Sequence, residues 1–101
     1  MDTQLKRGLL DVLVLAVLNR GESYGYFIIQ NLQRIVEISE STLYPILKRL
    51  FFARFVTTRS VEHNGRLRKY YKITPAGIAR LNEFVQEGQD MMKIYNFIIG
   101  G

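Results

Sequence analysis

Residues 39–50 run Ser39-Glu40-Ser41-Thr42-Leu43-Tyr44-Pro45-Ile46-Leu47-Lys48-Arg49-Leu50, and the rest of the chain supports this stretch. Leu43, Ile46, Leu47 and Leu50 recur at three- and four-residue steps, which puts them on one face of a helix. Ser41, Pro45, Lys48 and Arg49 fall on the opposite face, with Tyr44 at its flank. One side is anchored in a core while the other offers hydroxyls, a phenol and two cations outward. Ser41 as N-cap places Pro45 at the fourth helical position, where a missing N–H costs little because the first donors lack intrahelical partners. The pattern is that of a DNA-recognition helix.

Downstream the period changes from helical to alternating. Phe55 to Val61 and Arg68 to Ile73 are rich in β-branched and aromatic residues, and His63-Asn64-Gly65-Arg66 between them carries the Asn-Gly pair of a type I′ hairpin turn. With Asn64 and Gly65 central, Val56 pairs with Ile73, Thr57 with Lys72, Thr58 with Tyr71, Arg59 with Tyr70 and Val61 with Arg68. Val56, Thr58, Tyr71 and Ile73 then share a core face, and Arg59, Arg68, Tyr70 and Lys72 share a basic one. A slip of one residue would bury the cations. This hairpin is a candidate wing beside the recognition helix.

Upstream, Asp2 or Thr3 caps a first helix from about Gln4 to Asn19 whose apolar residues surround the cylinder. Burial on most sides requires the core and a second subunit. Gly21 is placed to end it in a left-handed cap. Ser23 as N-cap opens a second helix to about Ile35, with Ile28, Leu32 and Ile35 as its inner stripe and Gly25 permitting close helix–helix approach. Helix, short turn and helix with an exposed polar face make a helix-turn-helix.

Thr74-Pro75 opens the last helix, threonine as N-cap and proline at the first position. Leu81, Phe84, Val85, Gly88, Met91, Met92, Tyr95 and Ile98 or Ile99 form its apolar stripe, and Gly100-Gly101 end it. About 24 residues span some 36 Å at 1.5 Å each, so the distal half projects and needs a partner, most economically a second copy. The expected architecture is mainly α with a small β-hairpin. A winged helix-turn-helix DNA-binding domain spans residues 1–73, and a long C-terminal dimerisation helix spans 74–101, in one continuous globular unit.

Composition narrows the function. The chain of 101 residues carries 14 cations and 9 acids, no cysteine and one histidine. Between Lys48 and Lys72 lie eight cations and only Glu62 as an acid, so this window holds +7 and the rest of the chain −2. Such concentration fits a polyanionic partner, although a charge cluster alone reads more simply as a solvated face. No disulfide framework or Cys-containing zinc site is possible. The longest apolar run, Leu9 to Leu18, is too short to span a membrane and no signal peptide is apparent, so the expected location is cytoplasmic. His63, on the hairpin turn, has no partners for a catalytic or metal constellation, so an enzyme is not expected and no cofactor is implied.

These features together resemble the PadR family of winged helix-turn-helix transcriptional regulators. The matching segments are Lys6-Arg7-Gly8-Leu9-Leu10-Asp11 leading into Val12-Leu13-Val14-Leu15; Ser23-Tyr24-Gly25-Tyr26; Ser41-Thr42-Leu43-Tyr44-Pro45 with Leu47-Lys48-Arg49-Leu50; and Arg68-Lys69-Tyr70-Tyr71-Lys72-Ile73-Thr74 followed by Gly77. They occur in the family's order over nearly the whole chain. The resemblance implies a homodimer on a palindromic operator in double-stranded DNA, and repression often relieved by a small, frequently aromatic effector. One segment departs from the pattern: relatives carry charged residues and then a glycine where this chain has Phe51-Phe52-Ala53-Arg54-Phe55. Arg54 sits where glycine would make the left-handed cap, so either the helix ends differently or roughly 1 kcal/mol of strain is tolerated.

The DNA-binding surface expected from the residues comprises Ser41, Thr42, Tyr44, Lys48, Arg49, Arg59, Arg66, Arg68, Lys69, Tyr70 and Lys72. Ser41, Thr42, Tyr44 and Lys48 reach base edges, Tyr44 equally fits a phosphate contact, and Lys48, Arg49, Arg59, Arg68 and Lys72, extended by Arg66 and Lys69, neutralise phosphates. Five to seven such cations per subunit would give a log–log salt slope on the order of −9 to −13 per dimer. Dimerisation falls to Leu9, Leu13, Leu81, Phe84, Val85, Gly88, Met91, Met92, Tyr95 and Ile98. An effector site at that seam is the weaker alternative to a plain packed seam. Two other readings compete: a winged helix used only for protein–protein contact, and a nonspecific DNA-coating protein.

Overall fold

The first helix carries Leu or Val at eight of the ten positions 9–18, and it becomes the axis around which the other elements pack. A computed structural model describes the backbone of residues 3–101 and the side chains from Gly8 onward. The order is α1 (Thr3–Asn19), β1 (Ser23–Tyr24), α2 (Gly25–Leu32), α3 (Glu40–Phe52), β2 (Val56–His63), β3 (Arg66–Ile73) and α4 (Pro75–Ile98). The core joins Val14, Leu15 and Leu18 of α1, Ile28 and Leu32 of α2, Leu43, Ile46, Leu47 and Leu50 of α3, and Val56 and Tyr71 of the sheet. Thus the apolar stripe of α3 is buried as its spacing requires. Thr3 is already helical, so it does not cap α1, and the cap assigned to Asp2 lies outside the described residues. Gly21 adopts φ 155°, a conformation open to glycine but outside the left-handed helical basin expected of it.

Two expectations at helix starts are corrected. Ser23 does not cap α2; with Tyr24 it forms a short strand paired to Tyr71 and Tyr70, and the sheet is three-stranded in the order β1-β3-β2. The Ser23 hydroxyl is buried with no protein partner, and Tyr24 stands at the N-cap without a side-chain bond. Helix α2 stops at Leu32, so Ile35 is 70% exposed rather than part of an inner stripe. At α3 the cap is Ser39, not Ser41: its Oγ accepts from the Thr42 N–H at 3.3 Å. Helix α3 therefore begins at Glu40 and Pro45 is its sixth residue. The bond lost is one to the Ser41 carbonyl, at an exposed position where water can replace it.

The hairpin has the register derived from its turn: Val56 opposite Ile73, Thr58 opposite Tyr71, Arg59 opposite Tyr70 and Val61 opposite Arg68. Asn64 and Gly65 both have positive φ, 51° and 78°, as a type I′ turn demands. Helix α4 starts on the expected cap, the Gly77 N–H donating to Thr74 Oγ1 at 3.1 Å. It ends in paired bonds from Gly100 N–H to the Phe97 carbonyl and from Gly101 N–H to the Asn96 carbonyl, closing a Schellman motif on Gly100 at φ 90°. Gly77 has a second role. A Cβ there would lie 2.3 Å from the Phe55 carbonyl oxygen and 2.7 Å from Ile73 Cγ1, so only glycine lets α4 seat on the sheet.

The end of α3 resolves the anomaly at Arg54. Arg54 has φ 65°, its N–H donates to the Phe51 carbonyl, and the Phe55 N–H donates to the Leu50 carbonyl. This is a complete Schellman motif with arginine in the glycine position. Thr74 braces it: its N–H donates to the Phe55 carbonyl at 2.9 Å and its hydroxyl to the Arg54 carbonyl at 2.8 Å. Among the described residues, no helix is long and apolar enough to cross a membrane.

Candidate nucleic-acid interface

Four side chains of α3 line its outward side: Ser41, Pro45, Lys48 and Phe52, all exposed, Phe52 to 71%. Phe52 meets Phe51 edge to face with ring centroids 5.7 Å apart. Tyr44 and Arg49 stand on the two flanks, and each is held by another helix. The Tyr44 phenol lies over Gly25, where an added Cβ would come within 2.8 Å of its oxygen. Gly25 thus gives α2 and α3 their close approach. Tyr44 then looks into a cleft of about 720 Å³ between α3 and the wing, also lined by Tyr26, Tyr71, Arg66, Leu67 and Lys69.

Arg49 differs from the expectation drawn for it. Its Nη2 donates to Asp11 Oδ1 of α1 at 2.6 Å, so it ties the flank of α3 to α1 rather than standing on the outward face. The hydroxyls at the start of α3 are also engaged with one another. Ser39 Oγ lies 2.8 Å from Ser41 Oγ and 3.2 Å from Thr42 Oγ1. Thr42 further borders a cleft with Leu10, Val36 and Ile38, on the α1 side of the helix.

The wing is more ordered electrostatically than its alternation revealed. Val56 and Tyr71 belong to the core, so the face carrying Arg59, Arg68, Tyr70 and Lys72 is the solvent face of the hairpin, and Arg68 also borders the cleft beside Tyr44 of α3. On this outer face Arg59 forms two hydrogen bonds to Glu22, at 2.7 and 2.6 Å, and lies 5.2 Å from the Tyr70 ring centroid. The Arg59 bond and charge hold the Glu22 carboxyl below its ordinary range, and the same bond raises Arg59. Arg68 stacks over Tyr24 at 4.1 Å, and Tyr24 meets Tyr70 edge to face and stacks beside Phe27. The inner face turns Lys69 toward the Tyr71 ring, 5.9 Å away, and burial pushes the Tyr71 phenol up, with Tyr44 adding to the shift. Arg66 is exposed beside the turn, and Lys72 is exposed on the outer face.

Asp11, Glu22 and Tyr24 therefore shape this surface without having been singled out for it, whereas Gly25 has the close-approach role expected of it. Asp11 and Glu22 lie 38 and 37 residues from their arginines, and no local pattern joins such distant positions.

At the other end of the molecule, Leu81 and Phe84 are half-buried, and α4 packs against α1. Beyond them Val85, Met91, Met92, Ile94, Tyr95, Phe97 and Ile98 are all exposed, Phe97 to 82%. Leu9 and Leu13 of α1 are half-exposed. The 60 Å long axis of the molecule far exceeds its other extents of 27 and 21 Å.

Known proteins share this arrangement. A PadR-like transcription factor from Bacteroides fragilis has a TM-score of 0.88 and 32% identity, covering 95% of each chain. A protein from Streptococcus mutans UA159 has a TM-score of 0.79 and 41% identity, covering 93% of this chain and 90% of its own. Bacillus subtilis PadR, whose structure was solved in complex with operator DNA, has a TM-score of 0.72 and 27% identity over 76% of this chain and 46% of its own. The family model for PadR-like transcriptional regulators matches residues 14–83. The winged helix-turn-helix, the long last helix and these likenesses agree: the chain belongs to the PadR-like family, whose members regulate transcription and are not enzymes.

Proposed function

We propose that this protein is a transcriptional repressor that binds a palindromic operator in double-stranded DNA as a homodimer. The observation that carries this is the exposed face of α3, with Ser41, Tyr44 and Lys48 beside a basic wing on a chain that leaves the apolar half of α4 uncovered. Pairing of two copies through α1 and α4 would cover Leu9, Leu13, Val85, Met91, Met92, Tyr95 and Ile98. It would also set two α3 helices at the spacing of successive major grooves, roughly 34–36 Å. Ser41, Tyr44 and Lys48 do the sequence reading, because Thr42, although exposed, borders the α1 side of the helix. Arg66, Arg68, Lys69 and Lys72 join Lys48 in neutralising phosphates. Five such cations per subunit give a salt slope of about −9 for the dimer as an upper limit. A small hydrophobic or aromatic molecule entering the seam would relieve repression by altering that spacing.

The test selects preferred sites from random duplex DNA and compares variants on the site obtained. Lys48→Ala should weaken binding to every duplex, and Tyr44→Ala should change operator preference. Unchanged affinity for both variants removes the assignment of α3. A solution mass equal to the single 11.8 kDa chain at micromolar concentration removes the dimer. Tyr95→Asp, which puts a charge in the seam, should reduce the mass from twice that value to it.

A further inference from the structure

Arg49 is a cation on the recognition helix that the molecule itself keeps occupied. Its guanidinium reaches Asp11 of α1 at 2.6 Å, with side-chain exposures of 39% and 27% for the two partners. Its Nε is buried and without a protein partner, so one edge of the group is packed against the protein while the rest reaches solvent. Lys48, one residue earlier, projects about 100° away around the helix and is exposed with no ion-pair partner among the described residues. Of two adjacent cations, one is offered outward and the other is held back.

We infer that Asp11 is a specificity-determining residue: it withholds Arg49 from the DNA backbone and so suppresses binding to random sequence. The inference rests on the DNA-binding reading above. Nonspecific affinity comes almost entirely from cations that displace counterions from phosphates. A phosphate that drew Arg49 away would leave the Asp11 carboxylate unpaired beside a polyanion, and one that shared the guanidinium would face that carboxylate's charge, so the ion pair opposes the contact. In an operator complex, base contacts fix the pose of α3, and a freed flank cation gains only what that pose allows. On random DNA the pose is free to shift until the cation finds a phosphate. Releasing Arg49 therefore strengthens nonspecific binding more than specific binding.

The experiment measures duplex binding by fluorescence anisotropy over a salt series. It uses the full chain, with one random-sequence duplex and one duplex carrying the selected site. Asp11→Asn keeps the shape of the side chain and removes its charge. It should tighten random-duplex binding several-fold and steepen the log–log salt slope by about 0.9 per subunit, while the operator-to-random ratio falls. Arg49→Gln alone should leave the wild-type slope unchanged, and in the Asp11→Asn background it should cancel the gain. A folded Asp11→Asn protein with the wild-type slope overturns the inference. So does an Arg49→Gln protein whose slope is flatter by about 0.9 per subunit, because Arg49 would then already sit on a phosphate; this arm decides even if Asp11→Asn does not fold. A wild type that binds no duplex at any salt overturns the DNA-binding reading itself, and is distinct from these results.

Discussion

Arginine at position 54 holds a backbone conformation that belongs to glycine, and replacing it should make the protein more stable. With φ 65°, the Arg54 Cβ crowds the neighbouring backbone, which costs roughly 1–2 kcal/mol for a residue with a side chain. Glycine removes that cost but adds freedom to the unfolded chain, worth roughly 0.5–1 kcal/mol. Arg54→Gly is therefore expected to stabilise by about 0.5–1 kcal/mol, which for a chain of this length raises Tm by about 2–8 °C. Thermal and urea unfolding at one fixed protein concentration would measure it, since the stability of an associating protein depends on concentration. Arg54→Ala is the control. It removes the guanidinium but keeps the Cβ, so its stability should match the wild type. Stabilisation by alanine equal to that by glycine would show that the side chain, not the backbone, carries the effect. Loss of stability in Arg54→Gly would refute the strain altogether. The conformation persists because the Phe55 and Thr74 bonds hold both sides of it, at 2.8 to 2.9 Å.

Three further outcomes are expected. Gly77→Ala should destabilise by about 2 kcal/mol or more in urea unfolding, because its Cβ meets the rigid Phe55 carbonyl at 2.3 Å. Ser23→Ala should be neutral or stabilising, by up to roughly 1 kcal/mol, since it deletes a buried hydroxyl that has no protein partner; a loss of about 1 kcal/mol would restore the capping role. The Glu22 carboxyl should titrate below its ordinary 4.5 in an NMR pH series, and Arg59→Ala should return it there. Its folded-state value is depressed, so the contribution of the pair is present above 4.5 and disappears as pH falls through the lowered value.

The aromatic pair Phe51–Phe52 has no role in the mechanism above. Both rings are exposed at the end of the recognition helix, flanked by Lys48 and Arg54.

Local chemistry made much of this molecule legible from its residues. The three-and-four spacing of Leu43, Ile46, Leu47 and Leu50 gave the buried stripe of α3. Asn64-Gly65 gave both the turn and the register of the wing, because two consecutive positive φ angles allow few other residues. Thr74-Pro75 gave the start of α4, and the absence of glycine at Arg54 located a non-glycine residue with positive φ. In each case the decisive neighbours lie within a few residues of one another. Where several residues could serve the same local end, the packing chose between them. Ser39 and Ser41 are equally good caps by residue type, and in the folded chain α3 begins at Glu40 with Ser39 as its cap. Ser23 could cap a helix, but a two-residue strand shows no period of its own, and only the edge of β3 drew it into the sheet. Alternation did assign the inward face of the hairpin, and Val56 and Tyr71 are buried on it as expected. Charge allowed no such assignment: composition counted the cations, whereas the folded chain decided that Arg49 and Arg59 answer to Asp11 and Glu22. Pairing between residues almost forty positions apart is a property of how helices and sheet come together, and that is why tertiary structure alone could assign it.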